Sequence, residues 1–489
     1  MSVSQRFHQA AFIAAFSFAL GACGGNKPAQ SRREPPATEQ SSSASQREKV
    51  AITVYNQNFG LVREIRSVQL GKGRVSLEYQ DVSAHIQPET VHIRSLDRAD
   101  ALSVLEQNYR YDLLSPEKLL EKYVGKTIKV YRYNEETGTE EAFNAEVLSV
   151  EQGTVLKING EVTYNFPGRF AFPEVPKNLM AKPTLVWLLK SGLPRQRIEV
   201  SYLSGNLNWV ADYVLTVNDK DTAGDLTGWV SLTNNSGTSY EQAELKLVAG
   251  DVQRVRAALA QTPMDLRTAE QDGRGERQQF KEEGFFEYHL YTLGRPTDLL
   301  DKEKKQVTLL EAGGIGIEKK LVFFGAQHFY RGKYGQVMQN QKVGVYLDIE
   351  NSEKNQMGMP LPAGIVRVYK ADKSGAKQFI GEDRIDHTPR DEELRIKMGE
   401  AFDVVGDRKQ LEWRTLGGCA SESSWEIELR NHKDEGIRVD VVEPIAGDWE
   451  ILEESHRHVK EDSKTFRFEV SVPARGKTTV TYRVRVRWC

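Results

Sequence analysis

The 489-residue sequence has few cysteines, little net charge and no long apolar run. Its three cysteines are Cys23, Cys419 and Cys489, and its formal net charge is -3. A nearly neutral chain of this size lacks the basic surface with which proteins bind nucleic acid, so we expect no nucleic-acid partner. The apolar stretch from Ala10 to Leu20 is about half of the ~20 residues that a spanning helix needs, which argues against a plain transmembrane anchor.

Sequence motifs of familiar enzyme classes are also missing. The chain contains no G-x-S-x-G elbow, no H-E-x-x-H helix and no P-loop, and no histidine has an evident nucleophile partner. These absences predict a protein that is not an enzyme and needs no cofactor. The alternative is a carbohydrate-active or metal-dependent hydrolase of the envelope, in which two carboxylates would converge within about 5–10 Å.

The first recognisable feature of the sequence is a possible signal peptide in front of Cys23. Leu20, Gly21 and Ala22 precede this cysteine directly and follow the apolar stretch. Small residues before a cleavage point are typical of a secreted protein, and this order predicts a lipoprotein signal peptide at 1–22 with Cys23 as the acylated residue. A cleaved secretory signal without lipid and a cytosolic chain remain the alternatives. Because Gly24 rather than Asp follows the cysteine, we expect the outer membrane in a Gram-negative cell.

A polar stretch at 23–49 follows the signal. It contains Pro28, Pro35 and Pro36, a serine run at 41–43 and no aromatic residue. Such a stretch buries too little apolar surface to offset the entropy of an ordered chain. We therefore predict a disordered tether that holds the folded part near the membrane.

Cys419 and Cys489 are an even pair in an oxidising compartment, which favours a disulfide. Cys419 lies just before a strand-like run that starts at Trp425, and Cys489 ends the last strand-like run. If these strands are antiparallel neighbours, the two sulfurs meet. Two unpaired thiols are the alternative.

The apolar pattern is mainly that of β-strands. Val480, Tyr482 and Val484 alternate with polar residues, as expected of a sheet with one buried face. One helix interrupts the pattern, because Ser115 and Pro116 are suited to its start and Gly125 to its end. About five short strands follow, and Asn159-Gly160 is a hairpin signal among them. The region therefore predicts a small Sm-like barrel with a short helix.

The domain organisation follows from these patterns. We predict immunoglobulin-like β-sandwich modules after the barrel, since short strands recur at even spacing. We expect the tryptophan side chains to pack inside the sandwich cores. The predicted parts are an N-terminal β segment at 50–102, the helix-capped barrel at 103–178, a β-sandwich region at 179–407 with a mobile insertion at 253–284, and a C-terminal immunoglobulin-like sandwich at 408–489.

Two polar clusters are candidate metal sites. His456 and His458 are two apart in an extended chain, which places both imidazoles on one side. A second cluster has oxygen ligands that could hold calcium, although ordinary solvated turns are the favoured interpretation of both clusters. The members of the second cluster are Asp383, Asp386, His387 and Asp391.

Several segments resemble a bacterial secreted family that is catalogued as a domain of unknown function and is distantly related to mucoidy inhibitor A proteins. The segments occur in the family's order at 208–213 (NWVADY), 361–369 (LPAGIVRVY), 427–435 (IELRNHKDE) and 447–451 (GDWEI). The resemblance implies a β-rich extracytoplasmic protein without an established activity. The long coiled-coil segment of the mucoidy-inhibitor branch is absent here.

These observations predict a lipid-anchored protein of the cell envelope that presents β-sandwich modules for binding or assembly. Its partners would be the membrane, through the lipid, and an unknown envelope protein or polysaccharide. The contact site would be a groove between the sandwiches or the edge of the small barrel.

Overall fold

The structure is a computed structural model that describes residues 37–135, 137–176, 179–250, 252–254 and 279–489. It is 64% strand and 6% helical, which confirms a mainly β protein. The helical elements are α1 Pro116–Lys122 and the 3-10 turns Ala44–Gln46, Pro88–Thr90, Ala99–Ala101, Gln327–Arg331 and Glu353–Asn355. The strands are β1 Thr38–Ser42, β2 Arg47–Tyr55, β3 Phe59–Gln69, β4 Gly73–Gln80, β5 His92–Ser95, β6 Leu102–Arg110, β7 Thr127–Asn134, β8 Thr139–Ser149, β9 Val155–Ile158, β10 Glu161–Tyr164, β11 Arg169–Ala171, β12 Thr184–Ser191, β13 Arg195–Gly205, β14 Leu207–Val217, β15 Ala223–Asn234, β16 Tyr240–Ala249, β17 Phe280–Phe285, β18 Tyr288–Leu293, β19 Thr297–Leu299, β20 Glu303–Gly316, β21 Glu318–Phe324, β22 Met338–Glu350, β23 Gly364–Ala371, β24 Lys377–Ile385, β25 Glu393–Thr415, β26 Ala420–Asn431, β27 Ile437–Pro444, β28 Asp448–Glu454, β29 His458–Asp462, β30 Thr465–Val472 and β31 Lys477–Arg487.

Three sheets share the largest apolar core. Their strand orders are β1-β4-β12-β6, then β17-β18-β16-β2-β3-β13-β5 with β19 paired to β16, and β20-β15-β14-β23-β24. Strand β2 is parallel to β16 and antiparallel to β3. The strands at 50–102 are therefore divided between two sheets, each of which also contains strands from much later in the chain. Ile52, Leu77 and Leu215 are fully buried members of this common core.

The prediction of a disordered tether is wrong for residues 38–49. Strand β1 is parallel to β4, with Thr38 opposite Val75 and Ser42 opposite Tyr79. The Ser42 carbonyl also accepts a hydrogen bond from the Arg66 guanidinium at 3.2 Å. The segment is polar, so its own composition does not favour folding; the neighbouring strand supplies the hydrogen bonds that order it. The rest of the predicted tether lies outside the described residues.

Helix α1 and strands β7–β11 form a separate small unit. It contains the predicted helix and a five-stranded sheet in the order β10-β9-β8-β7-β11. The Ser115 hydroxyl accepts a hydrogen bond from the Lys118 amide at 3.2 Å, which confirms the cap of α1. The unit has its own core around Val130 and Leu156. A boundary at 103 is wrong, because β6 pairs with β12 in another sheet. The unit instead begins near Leu113, which forms a bridge to Met180.

A nine-stranded sheet forms the C-terminal unit, in the order β28-β31-β26-β25-β22-β21-β27-β30-β29. The predicted boundary at 408 is wrong because it falls inside β25. Leu394 and Ile396 of this strand pack in the largest core, which the first three sheets share. Ala401 and Val404 pack in the core of the C-terminal unit. A single long strand thus serves two cores, which an alternating apolar pattern alone does not reveal.

The prediction of a mobile insertion at 253–284 is wrong for its last residues. Residues 280–284 lie in β17, which pairs with β18, and the Phe280 side chain is buried. Residues 255–278 lie outside the described residues. The tryptophan prediction is confirmed for Trp187, Trp209 and Trp425, which are fully buried, whereas the other four are partly exposed.

Two buried ion pairs stabilise the main cores. The Arg66 guanidinium lies 3.6 Å from the centre of the Tyr79 ring and contacts the Glu64 carboxylate at 2.6 Å. In the C-terminal unit, the Arg408 guanidinium contacts the Glu443 carboxylate at 2.6 Å. All four charged side chains are fully buried. A buried charge is tolerated only when it is paired and hydrogen-bonded, so these clusters have a structural role.

Candidate functional site

The structure does not describe Cys23, because residues 1–36 lie outside the described ranges. Acylation of Cys23 and the signal peptide at 1–22 therefore remain predictions. Within the described ranges, no helix has both the length and the apolar character needed to cross a membrane.

Cys419 and Cys489 form a disulfide, as predicted. Strands β26 and β31 are antiparallel neighbours, with Ala420 opposite Arg487. The Trp488 amide donates a hydrogen bond to the Cys419 carbonyl at 2.9 Å, which extends the pairing by one step. The sheet register thus brings the two cysteines to a Cα separation of 5.9 Å.

His456 lies between β28 and β29 and His458 begins β29, and the two do not share a set of ligands. His458 Nδ1 is 2.6 Å from the Glu454 carboxylate, and His456 Nδ1 is 3.0 Å from the Ser455 hydroxyl. Each imidazole thus has a different neighbour. Among the residues that the structure describes, no three histidine, cysteine, aspartate or glutamate side chains gather in a way that could hold a metal ion.

The acidic cluster around residue 387 is likewise spread over a turn. The Asp383 carboxylate accepts hydrogen bonds from the Arg384 and Lys397 amides at 2.8 and 2.6 Å. His387 Nδ1 accepts one from the Ala363 amide at 3.1 Å. Asp386 and Asp391 are both exposed. Asp383 thus bonds to the backbone of β24 and β25, and His387 bonds to the backbone just before β23.

A pair of carboxylates meets beside Lys320 and Arg395. Asp348 accepts two hydrogen bonds from Arg395 at 2.9 and 2.7 Å and lies 2.8 Å from the Lys320 amine. Burial opposes its ionised form, but these cations outweigh burial and lower the pKa of Asp348. Burial and the contact with Asp348 raise the pKa of Glu393. The Lys320 amine also lies 3.9 Å from the Glu393 carboxylate, so one cation contacts both acids.

An apolar groove lies where β6, the loop after β4 and the start of the small unit meet. Its volume is about 390 Å³. The Tyr109 and Tyr111 rings stack with centres 5.5 Å apart, and Tyr111 is 71% exposed. None of the lining side chains carries a carboxylate, imidazole, amine or thiol. The lining residues are Ala84, Pro88, Tyr109, Tyr111, Leu113 and Pro183.

Tyr109 is held in place at the groove floor by its hydroxyl. That hydroxyl donates to the Ser83 and Ala84 carbonyls at 3.3 and 3.2 Å. Burial, with a smaller effect of Tyr111, raises the pKa of Tyr109, so the hydroxyl stays protonated and keeps donating. A rigid aromatic surface with few charges is suited to recognition. Sequence reasoning missed it; the spacing of Tyr109 and Tyr111, two apart at a strand end, was the available signal.

Strand β6 runs into this groove along an open sheet edge. In the described part of the chain it pairs only with β12. Six consecutive residues, 103–108, are exposed, including Val104 and Leu105. Edge strands offer unpaired backbone groups to another chain. The groove and β6 together are the candidate binding surface.

Comparison with protein families assigns the C-terminal part of the chain. The family described as "Domain of unknown function (DUF4139)" matches residues 198–489, more than half of the chain. The chain belongs to the DUF4139 family. No curated protein matches it.

The DUF4139 match begins inside β13, and the structure shows what the preceding residues add. In the sheet with the order β17-β18-β16-β2-β3-β13-β5, strands β2 and β3 lie between β16 and β13. Strand β3 pairs with β13 over the full length of both strands, from Gln69 opposite Arg195 to Phe59 opposite Gly205. The DUF4139 residues in this chain therefore depend on N-terminal strands to complete their sheet.

Proposed function

We propose that the protein is a lipid-anchored component of the cell envelope that presents its β units for binding or assembly. The observation that carries the proposal is the groove beside β6, because its lining is aromatic and apolar and has no carboxylate, imidazole, amine or thiol. The partner is an envelope protein or a polysaccharide. In this proposal the protein is not an enzyme and uses no cofactor.

The anchor in this proposal is the acylated Cys23, and the expected location is the outer membrane of a Gram-negative cell. The support is the order of residues at 10–24, an apolar stretch followed by small residues, cysteine and glycine. Globomycin, which blocks the lipoprotein peptidase, is expected to prevent processing. Cys23→Ser is expected to move the protein out of the membrane fraction. Unchanged processing and unchanged fractionation would contradict the anchor.

The finer architecture is also a proposal. The short helix and five short strands of the small unit support an Sm-like barrel. The two large cores, enclosed by sheets that are mainly antiparallel with a few parallel pairs, support immunoglobulin-like modules. A distant relation to mucoidy inhibitor A proteins rests on the segments at 208–213, 361–369, 427–435 and 447–451.

Site-specific photocrosslinking in intact envelopes tests the binding role. A benzophenone amino acid in place of Tyr111, which is 71% exposed in the groove, is expected to give a discrete adduct that mass spectrometry identifies. The matched control places the same group at Tyr133, which is 61% exposed on the small unit outside the groove. Equal labelling at both positions would contradict a binding role for the groove.

A further inference from the structure

We infer that the occupant of the β6 edge is a second copy of this chain, paired antiparallel with β6 about a two-fold axis at Asn108. The inference deepens the proposed function by naming a partner, and it rests on the proposal that the protein assembles through this surface. It is carried by the openness of the edge and by the order of charges along it.

The edge is open along most of its length. Strand β6 has nine residues, and six in succession are exposed, so the strand is uncovered on both faces of the sheet. Natural edge strands are usually protected by short length, proline, lysine, a bulge or a covering loop. β6 contains no proline and no lysine, and its pairing with β12 has one bulge, at Leu105. From Glu106 to Arg110 the pairing with β12 is regular, so this part of the edge can accept another strand.

The charges on β6 lie on one face. Gln107 is opposite Trp187, whose side chain is in the core, so Gln107 faces the core side. Because side chains alternate along a strand, Glu106, Asn108 and Arg110 face the other side. They form a row of one anion, one amide and one cation at steps of two residues, and the Arg110 guanidinium also contacts the Glu78 carboxylate of its own chain at 3.2 Å.

This row is complementary to itself when a second copy runs antiparallel. A two-fold axis normal to the sheet places the residue at the axis opposite its own copy. With the axis at Asn108, Glu106 lies opposite Arg110 of the second copy, and the reverse pair forms as well. An axis at Glu106 or at Arg110 would place like charges opposite each other, which destabilises a strand pair. Charge complementarity therefore selects the register centred on Asn108.

The same register brings the second copy close to the groove. Tyr111 lies only three residues from the axis, just past the end of β6. A short ladder buries less than the roughly 1,600 Å² of a typical stable interface, so we expect a weak, reversible dimer. Attachment of both copies to one membrane would raise their effective concentration and favour pairing.

Cysteine crosslinking of the full chain in cells tests the register. In an antiparallel pair, opposite Cα atoms are about 4.5–5.5 Å apart, which a disulfide spans. Asn108→Cys is therefore expected to give a disulfide-linked dimer on a non-reducing gel. Ser103→Cys is the matched control on the same strand, because its two copies would lie roughly 34 Å apart. Absence of the Asn108→Cys dimer, or equal dimer from both variants, would overturn the inference.

Charge exchange supplies a second, independent readout. In the Asn108→Cys chain, Glu106→Arg or Arg110→Glu alone is expected to reduce the dimer about tenfold, because each change makes two like-charge pairs between the copies. Because Arg110 also contacts Glu78 of its own chain, all of these chains carry Glu78→Gln as a common background. The double exchange restores both pairs, and so does co-expression of the two singly exchanged chains. Failure of both rescues would overturn the register. If these dimers are absent while the Tyr111 photocrosslink captures a different envelope component, the inference fails and the proposed function stands.

Discussion

Asn234 and Asn431 make the same set of hydrogen bonds at the ends of two different strands. Each side-chain amide donates to the carbonyl four residues later, Thr238 at 3.0 Å and Glu435 at 2.7 Å. Each also donates to a distant loop, at Leu299 or Pro473. Each carboxamide oxygen accepts from the amide two residues later. In each case, one buried asparagine side chain thus forms hydrogen bonds with two loops and holds them together.

Asn351 repeats this arrangement just after β22, with a longer loop. Its amide donates to the Met359 and Pro389 carbonyls at 2.9 and 2.8 Å. Its oxygen accepts from the Gly358 amide at 3.1 Å. The three asparagines are all buried. Aspartate could not replace them, because it lacks the amide donors.

Asn234→Ala is expected to lower the free energy of unfolding by about 2–3 kcal/mol, because the mutation leaves buried backbone groups without partners. Asn235→Ala is the matched control, since Asn235 is the next residue and is exposed. Urea denaturation followed by circular dichroism measures the difference. Equal midpoints for the two variants would contradict a structural role for the Asn234 amide.

A cross-strand ion pair makes the stability of the C-terminal unit pH-dependent. The Glu422 carboxylate contacts the Arg483 and Arg485 guanidinium groups at 2.6 and 2.7 Å. The hydrogen bond from Arg485, together with Arg483, lowers the pKa of Glu422. Since the pKa is lower in the folded state, the stabilisation is present above the ordinary glutamate value of about 4.3. It is lost as the pH falls through the folded-state pKa.

Glu422→Gln is expected to reduce the free energy of unfolding by about 1.5–3 kcal/mol at pH 7. The difference from the parent protein should shrink toward zero as the pH falls below the folded-state pKa, where the parent glutamate is also protonated. Glu426→Gln, on the same strand, is the control. Urea titrations at several pH values measure the effect, and a difference that stays constant with pH would rule out the ion pair as its cause.

The disulfide stabilises the C-terminal unit by restricting its unfolded state. Cys419 and Cys489 are 70 residues apart in sequence. Replacing both with serine is expected to cost about 4 kcal/mol of unfolding free energy. Guanidinium denaturation of the double variant measures this cost, and alkylation followed by mass spectrometry of the native protein checks that the thiols are oxidised. Alkylation of both cysteines in the native protein would refute the bridge.

The part of the DUF4139 region that shares a sheet with N-terminal strands is expected not to fold without them. In residues 198–489 alone, β13 loses its neighbours β3 and β5, and β16 loses β2 while keeping β18. Fully buried side chains such as Ile198 and Leu245 would then be uncovered, whereas the nine-stranded C-terminal sheet lies wholly within 198–489. Amide hydrogen exchange of 198–489 should therefore show protection in β26 and β31 but not in β13 and β16, whereas residues 37–489 should show protection in all four. Protection of β13 and β16 in 198–489 would mean that the N-terminal strands are dispensable.

Local sequence rules predicted the features that depend on neighbouring residues. The helix cap at Ser115 follows from hydroxyl chemistry at a helix start. The Asn159-Gly160 hairpin also forms, because both residues adopt the left-handed conformation that such a turn requires. The Cys419 and Cys489 pairing was predicted because it needed only that two strands be antiparallel neighbours.

Features that join distant segments could not be read from the sequence. The polar residues at 38–42 become a strand only because β4 lies beside them, and β25 serves two cores although its pattern is that of one strand. The groove likewise depends on residues between Ala84 and Pro183 that meet at the small unit. Alternation specifies that a residue faces inward, but it does not specify which strand pairs with which. The sequence by itself determined the β class, the cap, the hairpin and the cysteine pair, whereas the tertiary structure alone decided the sheet order, the unit boundaries and the candidate binding surface, because these depend on hydrogen bonds and packing between segments far apart in the chain.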